Sequence, residues 1–206
     1  MRGHHTGIDS KPTHVPNRSG RPRLDRTRAG VLVGLASALA SGLLACGPGG
    51  GTSAASNGKT HAVTYVDSRY HYRIDSPGRM IALADGTAVY AGPSQRLQVA
   101  VVQGAKAADL AALARDDVAA FASNTATLHL DWGPASISLR GRQLEKFVYS
   151  YESGTSPATG KPLTLVGVRY YLPRDATAAA VISYGIVSSQ YDAQAADDIA
   201  SSFEWQ

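Results

Sequence analysis

The fold of this chain is decided by residues 142–187, which read RQLEKFVYSYESGTSPATGKPLTLVGVRYYLPRDATAAAVISYGIV. Three runs within this stretch, 142–152, 162–172 and 178–187, are rich in the β-branched and aromatic residues that favour strands. Residues typical of turns, mainly Gly, Ser, Pro and Asp, separate the runs. The stretch therefore predicts three consecutive antiparallel strands connected by hairpins.

The alternation of side chains along these strands predicts apolar residues on both faces of the sheet. One face carries Tyr149, Tyr151 and Leu165, which we predict either to pack in the core, the favoured role, or to form a face for a ligand or a partner. The other face carries Val148, Val166, Val168, Ile182, Tyr184 and Ile186. Because both faces are apolar, helices or a second layer should cover each of them.

The register between the first two strands leads to one specific expectation. If Glu152 lies opposite Pro162, then Glu145 lies opposite Arg169. Opposite charges in such a cross-strand position stabilise the pairing of the strands. We therefore predict that Glu145 and Arg169 are cross-strand neighbours.

Two helices complete the predicted fold. Between residues 106 and 124 apolar side chains recur at helical spacing, while charged residues occupy other positions. Within this helix Asp116 and Asp117 point about 100° apart, so they are expected to be solvated rather than to form an acid pair. Residues 192–203 are expected to form a second helix. The predicted fold class is α+β, an antiparallel β-sheet packed against a long amphipathic helix and a C-terminal helix.

The first 45 residues have the features of a secretory signal peptide. Residues 1–28 contain seven Lys or Arg and two Asp, and residues 29–45 are uncharged and mostly apolar or small. A basic segment, an apolar segment and a small residue before Cys46 are the three parts of such a signal. A permanent transmembrane anchor is the alternative, but no basic cluster follows the apolar run. We therefore predict that residues 1–45 are a signal peptide.

The residues around the predicted cleavage point, Leu43-Leu44-Ala45-Cys46, resemble the lipobox of bacterial lipoproteins. The resemblance implies that the thiol of Cys46 receives a diacylglycerol and that Cys46 becomes the mature amino terminus. Each buried methylene of the acyl chains would contribute about 0.8 kcal/mol to anchoring. The chain is thus expected to be lipid-anchored in the bacterial cell envelope, in the outer membrane of a Gram-negative host and otherwise on the outer face of the cell membrane.

Residues 46–61 are predicted to be a flexible tether. They are rich in Gly, Ser and Ala and contain few large apolar groups, so they cannot bury a core. Residues 62–206 show neither an internal repeat nor a second linker, and their length suits one domain. We therefore predict a single α+β domain over residues 62–206.

Composition excludes several classes of function. The chain has 206 residues, of which 44% are hydrophobic and 17% charged, a balance typical of a folded soluble domain. Its single cysteine excludes an internal disulfide framework and cysteine-rich metal sites. Residues 46–206 hold 13 basic and 14 acidic side chains, so nucleic acid is not expected as a partner. No metal-ligand spacing or cofactor motif is visible, and we predict neither a metal nor a cofactor.

One pair of residues could be proposed as part of a catalytic site. His129 and Asp131 stand two apart on a predicted strand and would share a face, as a general base and its orienting carboxylate do. No nucleophile or third partner accompanies them in the sequence. The simpler interpretation is a surface strand with polar residues outward, and no catalytic residue is predicted.

The order of elements resembles that of a known superfamily. Tyr70, Tyr72 and Ile74 alternate before a proline, one amphipathic helix and three long strands follow, and the terminal helix ends in SSFEW at 201–205. This order resembles the PsbP-like superfamily, including DcrB-type bacterial lipoproteins, over about residues 63–205. The resemblance implies an antiparallel sheet between helices and a non-enzymatic accessory or assembly role.

The sequence is therefore compatible with three classes of function. The favoured class is a non-catalytic binding or accessory module that recognises an envelope protein or a ligand. A lipid or small-molecule carrier would instead show a sizeable apolar pocket between sheet and helix, lined by Tyr149, Tyr151 and Leu165. An envelope hydrolase using His129 and Asp131 is the third class.

Overall fold

The structure, a computed structural model, describes residues 62–156 and 159–206. Within these ranges the strands are β1 (Val63–Asp67), β2 (Tyr72–Ser76), β3 (Ile81–Ala82), β4 (Ala88–Ala91), β5 (Gln95–Gln103), β6 (His129–Leu139), β7 (Arg142–Thr155), β8 (Pro162–Asp175), β9 (Ala178–Val187) and β10 (Glu204–Trp205). The helices are α1 (Leu110–Asn124) and α2 (Ala193–Ser202), with 3₁₀ turns at Ala105–Ala108 and Ser188–Gln190. The predicted signal peptide, Cys46 and the tether up to residue 61 lie outside the described residues.

Two antiparallel sheets organise these strands. The large sheet has the order β3-β4-β5-β9-β8-β7-β6, and the small sheet has the order β1-β2-β10. The predicted α+β class, with an antiparallel sheet and two helices, is confirmed. The sheet dominates, since α1 has 15 residues and the chain before it forms a 3₁₀ turn rather than the predicted start of a longer helix.

The register between β7 and β8 overturns one expectation. Glu152 pairs with Thr164, two residues further along β8 than predicted. Tyr171 therefore lies opposite Glu145, and the prediction that Glu145 and Arg169 are cross-strand neighbours is wrong. The physical reason lies at the turn, where β7 continues beyond its predicted end to Thr155 and a bulge interrupts the last pairs of the two strands.

Two hydrophobic cores lie on opposite faces of the large sheet. The α2 face, which packs against the small sheet and α2, includes Tyr72, Ile74, Leu97, Val168, Tyr170, Ile182, Ala200 and Phe203. The α1 face, which packs against α1, includes Leu113, Ala114, Phe121, Phe147, Tyr149, Tyr151, Leu165, Tyr171 and Val181. Both faces are therefore covered, which explains why the central strands carry apolar residues at nearly every position.

The ends of the helices are held by polar side chains. Asp109 caps α1 by accepting a hydrogen bond from Ala112 N at 2.8 Å, and Asp192 caps α2 by accepting one from Gln194 N at 2.8 Å. At the other end of α2, Arg142 donates to backbone carbonyls of the last turn. A cation at this position satisfies free carbonyls and complements the helix dipole.

Candidate ligand cleft beside helix α1

A buried charge pair joins α1 to the large sheet. Arg169 on β8, 1% exposed, donates from Nη1 to Oδ2 of Asp117 on α1, which is 3% exposed. The hydroxyl of Tyr171 donates to the same carboxylate oxygen at 2.6 Å. Arg169 also donates from Nε to Ser183 Oγ at 2.8 Å, and its guanidinium lies 4.7 Å from the centre of the Phe121 ring. We call Asp117, Arg169 and Tyr171 the α1 cluster.

The α1 cluster shows that the expectation of two solvated aspartates is wrong for Asp117. Asp116 is exposed, whereas the next residue along the helix faces the sheet. Burial by itself would lower the pKa of the Arg169 guanidinium, but Tyr171 and Asp117 hold that pKa above its ordinary value. Burial raises the pKa of the Tyr171 hydroxyl, and Asp117 raises it too, so the hydroxyl stays protonated and keeps donating.

A narrow cleft opens between the C-terminal end of α1 and strands β5, β9, β8 and β7. Its volume is about 20 Å³, which is room for a water-sized group but not for a whole acyl chain. Polar lining side chains include Arg96, Gln98, Tyr151 and Arg169, and apolar ones include Phe121 and Leu128. The charged side chains that line the cleft are thus both arginines.

Two glycines explain why the cleft forms at this place. Gly167 on β8 pairs with Gly185 on β9, so two neighbouring central strands lack a side chain at the same level. The ring of Tyr149 lies over Gly167, where an added Cβ would overlap it, and Gly185 lines the cleft. Glycine weakens the interior of a strand and often marks a close approach by another group.

Two buried polar atoms beside the cleft have no hydrogen-bond partner among the described residues. They are the hydroxyl of Tyr151 and Oε1 of Gln98, and each of these residues is 8% exposed. Leaving such an atom unpaired costs about 1–3 kcal/mol, which a bound ligand or water would remove. Burial raises the pKa of Tyr151, and Tyr149 raises it further, so the Tyr151 hydroxyl is neutral and able to donate.

The cleft contains two of the three residues predicted to form a ligand or partner face. Tyr149 and Tyr151 line it, with their ring centres 6.2 Å apart in a stacked arrangement. Leu165 lies opposite Tyr151 on the same face and packs in the α1 core. The sequence analysis missed Arg96 and Gln98, although two glycines inside predicted strands were a signal that a group approaches the sheet there.

The predicted pair of His129 and Asp131 forms on the edge strand β6. His129 Nδ1 lies 2.7 Å from Asp131 Oδ1, and the Ser150 hydroxyl donates to the same oxygen at 3.2 Å. The His129 side chain is 77% exposed. In a relay of nucleophile, base and carboxylate, the hydroxyl donates to the imidazole, whereas here Ser150 donates to the carboxylate. This arrangement therefore does not activate Ser150.

A second charge pair joins α2 to the opposite face of the sheet. Lys146 Nζ on β7 lies 2.6 Å from Asp197 Oδ1 on α2, and the Tyr170 hydroxyl donates to the same oxygen at 2.6 Å. The Lys146 and Asp197 side chains are 11% and 25% exposed. We call Lys146, Asp197 and Tyr170 the α2 cluster.

The described ranges contain neither a candidate metal site nor a helix that could span a membrane. No group of three or more His, Cys, Asp or Glu side chains within residues 62–156 and 159–206 is placed to hold a metal ion. In the same part of the chain, neither helix combines the length and the apolar character needed to cross a membrane.

Comparison with known proteins assigns no family. No family model and no curated protein matches the chain. Among solved structures, the Ran-binding protein Mog1p of Saccharomyces cerevisiae is 13% identical, with 71% of this chain and 96% of that chain covered and a TM-score of 0.45. A protein from Bacteroides thetaiotaomicron is 9% identical over 69% of this chain, which spans about half (48%) of that protein, with a TM-score of 0.44. PA94 of Pseudomonas aeruginosa is 12% identical, with 63% and 85% covered and a TM-score of 0.37. Likenesses this distant leave the predicted PsbP-like resemblance a prediction.

Proposed function

We propose that this chain is a lipid-anchored protein of the bacterial cell envelope whose folded part is a non-catalytic binding module. The observation that supports binding best is the cleft, where the Tyr151 hydroxyl and Oε1 of Gln98 are buried and have no hydrogen-bond partner among the described residues. Neither group changes its protonation near neutral pH, because burial raises the pKa of Tyr151 and an amide does not titrate. Such groups hold a polar ligand but do not exchange protons with it.

The charged groups beside the cleft support the same conclusion. Arg169 donates to Asp117 and to Ser183, so its guanidinium is already engaged in holding α1 to the sheet. An arginine stays protonated and does not act as a general base at neutral pH. The hydrolase alternative is less well supported, since it needs His129 to activate a nucleophile and Ser150 donates to Asp131 instead.

Helix α1 is best understood as an amphipathic cover over the α1 face. Its buried side carries Leu113, Ala114 and Phe121, together with the paired Asp117. A carrier for a whole lipid would have to displace this helix, because the cleft beside it holds only about 20 Å³. The geometry therefore favours recognition of a small group, or of a protein surface, over transport of an acyl chain.

The proposed anchor is Cys46, which precedes the first strand by a short Gly-rich and Ser-rich segment. A flexible chain of that length reaches on the order of 20 Å, so the folded part would stand clear of the lipid headgroups. Its partners would be the membrane, through lipid on Cys46, and an envelope protein or a ligand.

The anchor is tested by labelled fatty-acid incorporation and membrane partition. We expect both in the wild type and neither in Cys46→Ser, because the thiol is the acylated group. An unlabelled wild type that retains residues 1–45 would favour a signal anchor instead.

The binding role is tested by crosslinking the protein in native membranes and identifying the captured molecules by mass spectrometry. We expect specific capture by the wild type and by His129→Ala, and reduced capture by the double variant Tyr149→Ala/Tyr151→Ala. The proposal is wrong if nothing is captured above background and a turnover of an envelope substrate that depends on His129 appears.

A further inference from the structure

Two exposed arginines lie over aromatic rings where the turn between β1 and β2 meets the end of β8. The guanidinium of Arg69 is 5.1 Å from the centre of the Tyr70 ring, and that of Arg174 is 5.2 Å from the centre of the Trp205 ring. The two pairs are joined, because Arg174 Nη1 donates to the Tyr70 carbonyl oxygen at 3.4 Å. Both arginines are exposed and both rings are half-buried. We call Arg69, Tyr70, Arg174 and Trp205 the tip cluster.

The carboxylates closest in sequence to these arginines are engaged by the backbone of their own turns. Asp67 is 6% exposed and accepts from two backbone N–H groups of the β1–β2 turn, and Asp175 accepts from the N–H and the hydroxyl of Thr177. Within residues 62–156 and 159–206, the ion pairs are formed by cations other than Arg69 and Arg174. The tip cluster therefore presents two positive charges to an anion from outside the chain.

An exposed apolar turn lies against the tip cluster. Residues 81–84 read IALA and are all exposed, Ile81 by 58% and Leu83 by 42%. Gly86 closes this turn by donating its N–H to the Leu83 carbonyl oxygen at 3.0 Å. A Cβ added at Gly86 would lie 2.7 Å from the Tyr70 hydroxyl, so the turn touches the cluster directly. Exposed aliphatic side chains and two arginines thus share one end of the domain.

We infer that this end of the domain, the tip cluster with residues 81–84, docks on an anionic lipid surface, an inference that rests on the proposed lipid anchor and assigns the folded part a contact of its own with that membrane. Proteins that lie on a membrane combine buried apolar side chains with cations that attract anionic headgroups. Tyrosine and tryptophan rings favour the level of the headgroups, and long arginine side chains reach it from apolar surroundings. The tip cluster and the turn hold all of these groups together.

The anchor favours a lipid surface over a protein as the occupant. A tether from Cys46 would keep the domain within on the order of 20 Å of the membrane. A weak contact between the domain and that membrane is then made at a high effective concentration. One attachment therefore strengthens the other, as a basic patch does beside an acyl chain.

The tip cluster also has room beside it for a headgroup. An open hollow of about 300 Å³ is lined by Trp205 together with Arg142, Gln143, Leu172 and Pro173. The Trp205 indole is held at its rim, because Nε1 donates to the Pro173 carbonyl oxygen at 3.2 Å. A hollow of this size accommodates a small polar ligand. The cleft of about 20 Å³ beside α1 does not.

The two tryptophans of the chain provide the test. Trp205 belongs to the tip cluster, and Trp132, which is 44% exposed, lies on the edge strand β6. The protein is purified from native membranes as the host processes it and is reconstituted in vesicles of phosphatidylcholine and anionic phosphatidylglycerol. Some of the lipid carries a spin label on its headgroup, which quenches a tryptophan that touches the membrane. We expect strong quenching in Trp132→Phe, which keeps Trp205, and weak quenching in Trp205→Phe, which keeps Trp132.

Charge variants in the Trp132→Phe background test the anionic lipid. Arg69→Gln/Arg174→Gln should lower the ratio of docked to free domains by roughly tenfold or more, because each cation at an anionic surface contributes about fivefold. Vesicles of phosphatidylcholine alone should have the same effect. The matched control is Arg115→Gln/Lys161→Gln, which removes two exposed cations from α1 and from the opposite end of β8 and should leave the quenching unchanged. Thermal unfolding checks that each variant keeps the fold.

The outcomes separate this inference from the proposed anchor. Absence of Trp205 quenching, or equal quenching of both tryptophans, would overturn the docking surface. Quenching of Trp205 that is unchanged in Arg69→Gln/Arg174→Gln would overturn the role of the anionic lipid. If Cys46 carries labelled fatty acid and Trp205 is not quenched, the inference fails and the anchor stands. If Trp205 is quenched in a chain without the label, the docking surface stands and the acylated anchor fails.

Discussion

Helices α1 and α2 each carry an aspartate that accepts hydrogen bonds from a cation and from a tyrosine hydroxyl of β8. The tyrosines are consecutive, so Tyr170 points to the α2 face and Tyr171 to the α1 face. The two clusters differ in depth, because the Asp117 side chain is 3% exposed and the Asp197 side chain 25%. The same arrangement of an aspartate, a cation and a tyrosine therefore occurs on both faces of the large sheet, once in the protein interior and once near the protein surface.

This difference in depth determines how much each cluster should matter. A fully buried charge that loses its counter-ion has no access to water, so breaking the pair is very costly. A charge near the surface can be rehydrated after a small movement of its side chain. The two cations also differ in how firmly they are held. The Arg169 guanidinium is fixed by hydrogen bonds to Asp117 and Ser183, whereas the Lys146 ammonium is a point charge at the end of a flexible side chain.

The largest expected effect is that of Asp117→Ala. The variant leaves the Arg169 guanidinium buried without a carboxylate and removes the acceptor of the Tyr171 hydroxyl. We expect a loss of about 3–5 kcal/mol in the free energy of unfolding. Chemical denaturation of the full-length protein measures it. As a control, the triple variant Asp117→Leu/Arg169→Met/Tyr171→Phe should recover most of the loss, because apolar groups of similar size can replace a buried pair. A triple variant no more stable than Asp117→Ala would show that an unpaired charge is not the cause.

A smaller effect is expected for the matching variant on the other face, Asp197→Ala. The Lys146 side chain is 11% exposed and pairs with an aspartate that is 25% exposed, whereas the Arg169 side chain is 1% exposed. We expect a loss of about 1–2 kcal/mol, which should shrink in high salt. Parallel denaturation curves at low and high ionic strength give both quantities. A loss as large as that of Asp117→Ala, and insensitive to salt, would remove the contrast between the two clusters.

The tyrosines of the two clusters should make the free energy of unfolding depend on pH in the same way. Burial raises the pKa of Tyr170 and of Tyr171 above the ordinary value of 10.0, and the bonded aspartates raise both further. Above that value the unfolded chain loses phenolic protons that the folded chain keeps, so stability falls as the pH rises, and below it the contribution is fully present. Each tyrosine should add about 1.4 kcal/mol per pH unit to this decline. Denaturation between about pH 9 and pH 11 should show a shallower decline in Tyr170→Phe and in Tyr171→Phe, and an unchanged slope in either would contradict the raised pKa.

Much of the sheet could be predicted from local pattern. β9 has the predicted bounds, residues 178–187, because β-branched and aromatic residues run unbroken between two turn signals. The register of β7 and β8 could not be predicted, since it depends on a bulge near the hairpin turn that leaves no clear mark in the sequence. β1 was not predicted either, because its run of β-branched and aromatic residues, Val63 to Val66, is short and lies close to the predicted tether.

The candidate site was less predictable than the sheet. Periodicity placed Tyr149 and Tyr151 on one face, but it said nothing about which strand β5 would meet. Arg96 reaches the cleft because β5 pairs with β9, a contact between segments almost ninety residues apart. The role of Asp117 was hidden for a similar reason, since its partner Arg169 lies on another element. Long-range pairings of this kind are set by the tertiary fold and not by local propensity.

The smallest expected effects are those of the helix caps. They test whether the difference between Asp117→Ala and Asp197→Ala arises from the two charge clusters or from a general difference in importance between α1 and α2. Asp109 accepts one backbone N–H bond at the start of α1, and Asp192 accepts two at the start of α2, from Gln194 N at 2.8 Å and Ala195 N at 3.4 Å. Both caps are exposed, so Asp109→Ala and Asp192→Ala should each cost about 1 kcal/mol. The matched controls Asp109→Asn and Asp192→Asn should retain most of the stability, because asparagine also accepts the capping bonds. If the two alanine variants differ by as much as Asp117→Ala differs from Asp197→Ala, then α1 as a whole matters more than α2, and the burial of the charge pairs is not what separates the two faces.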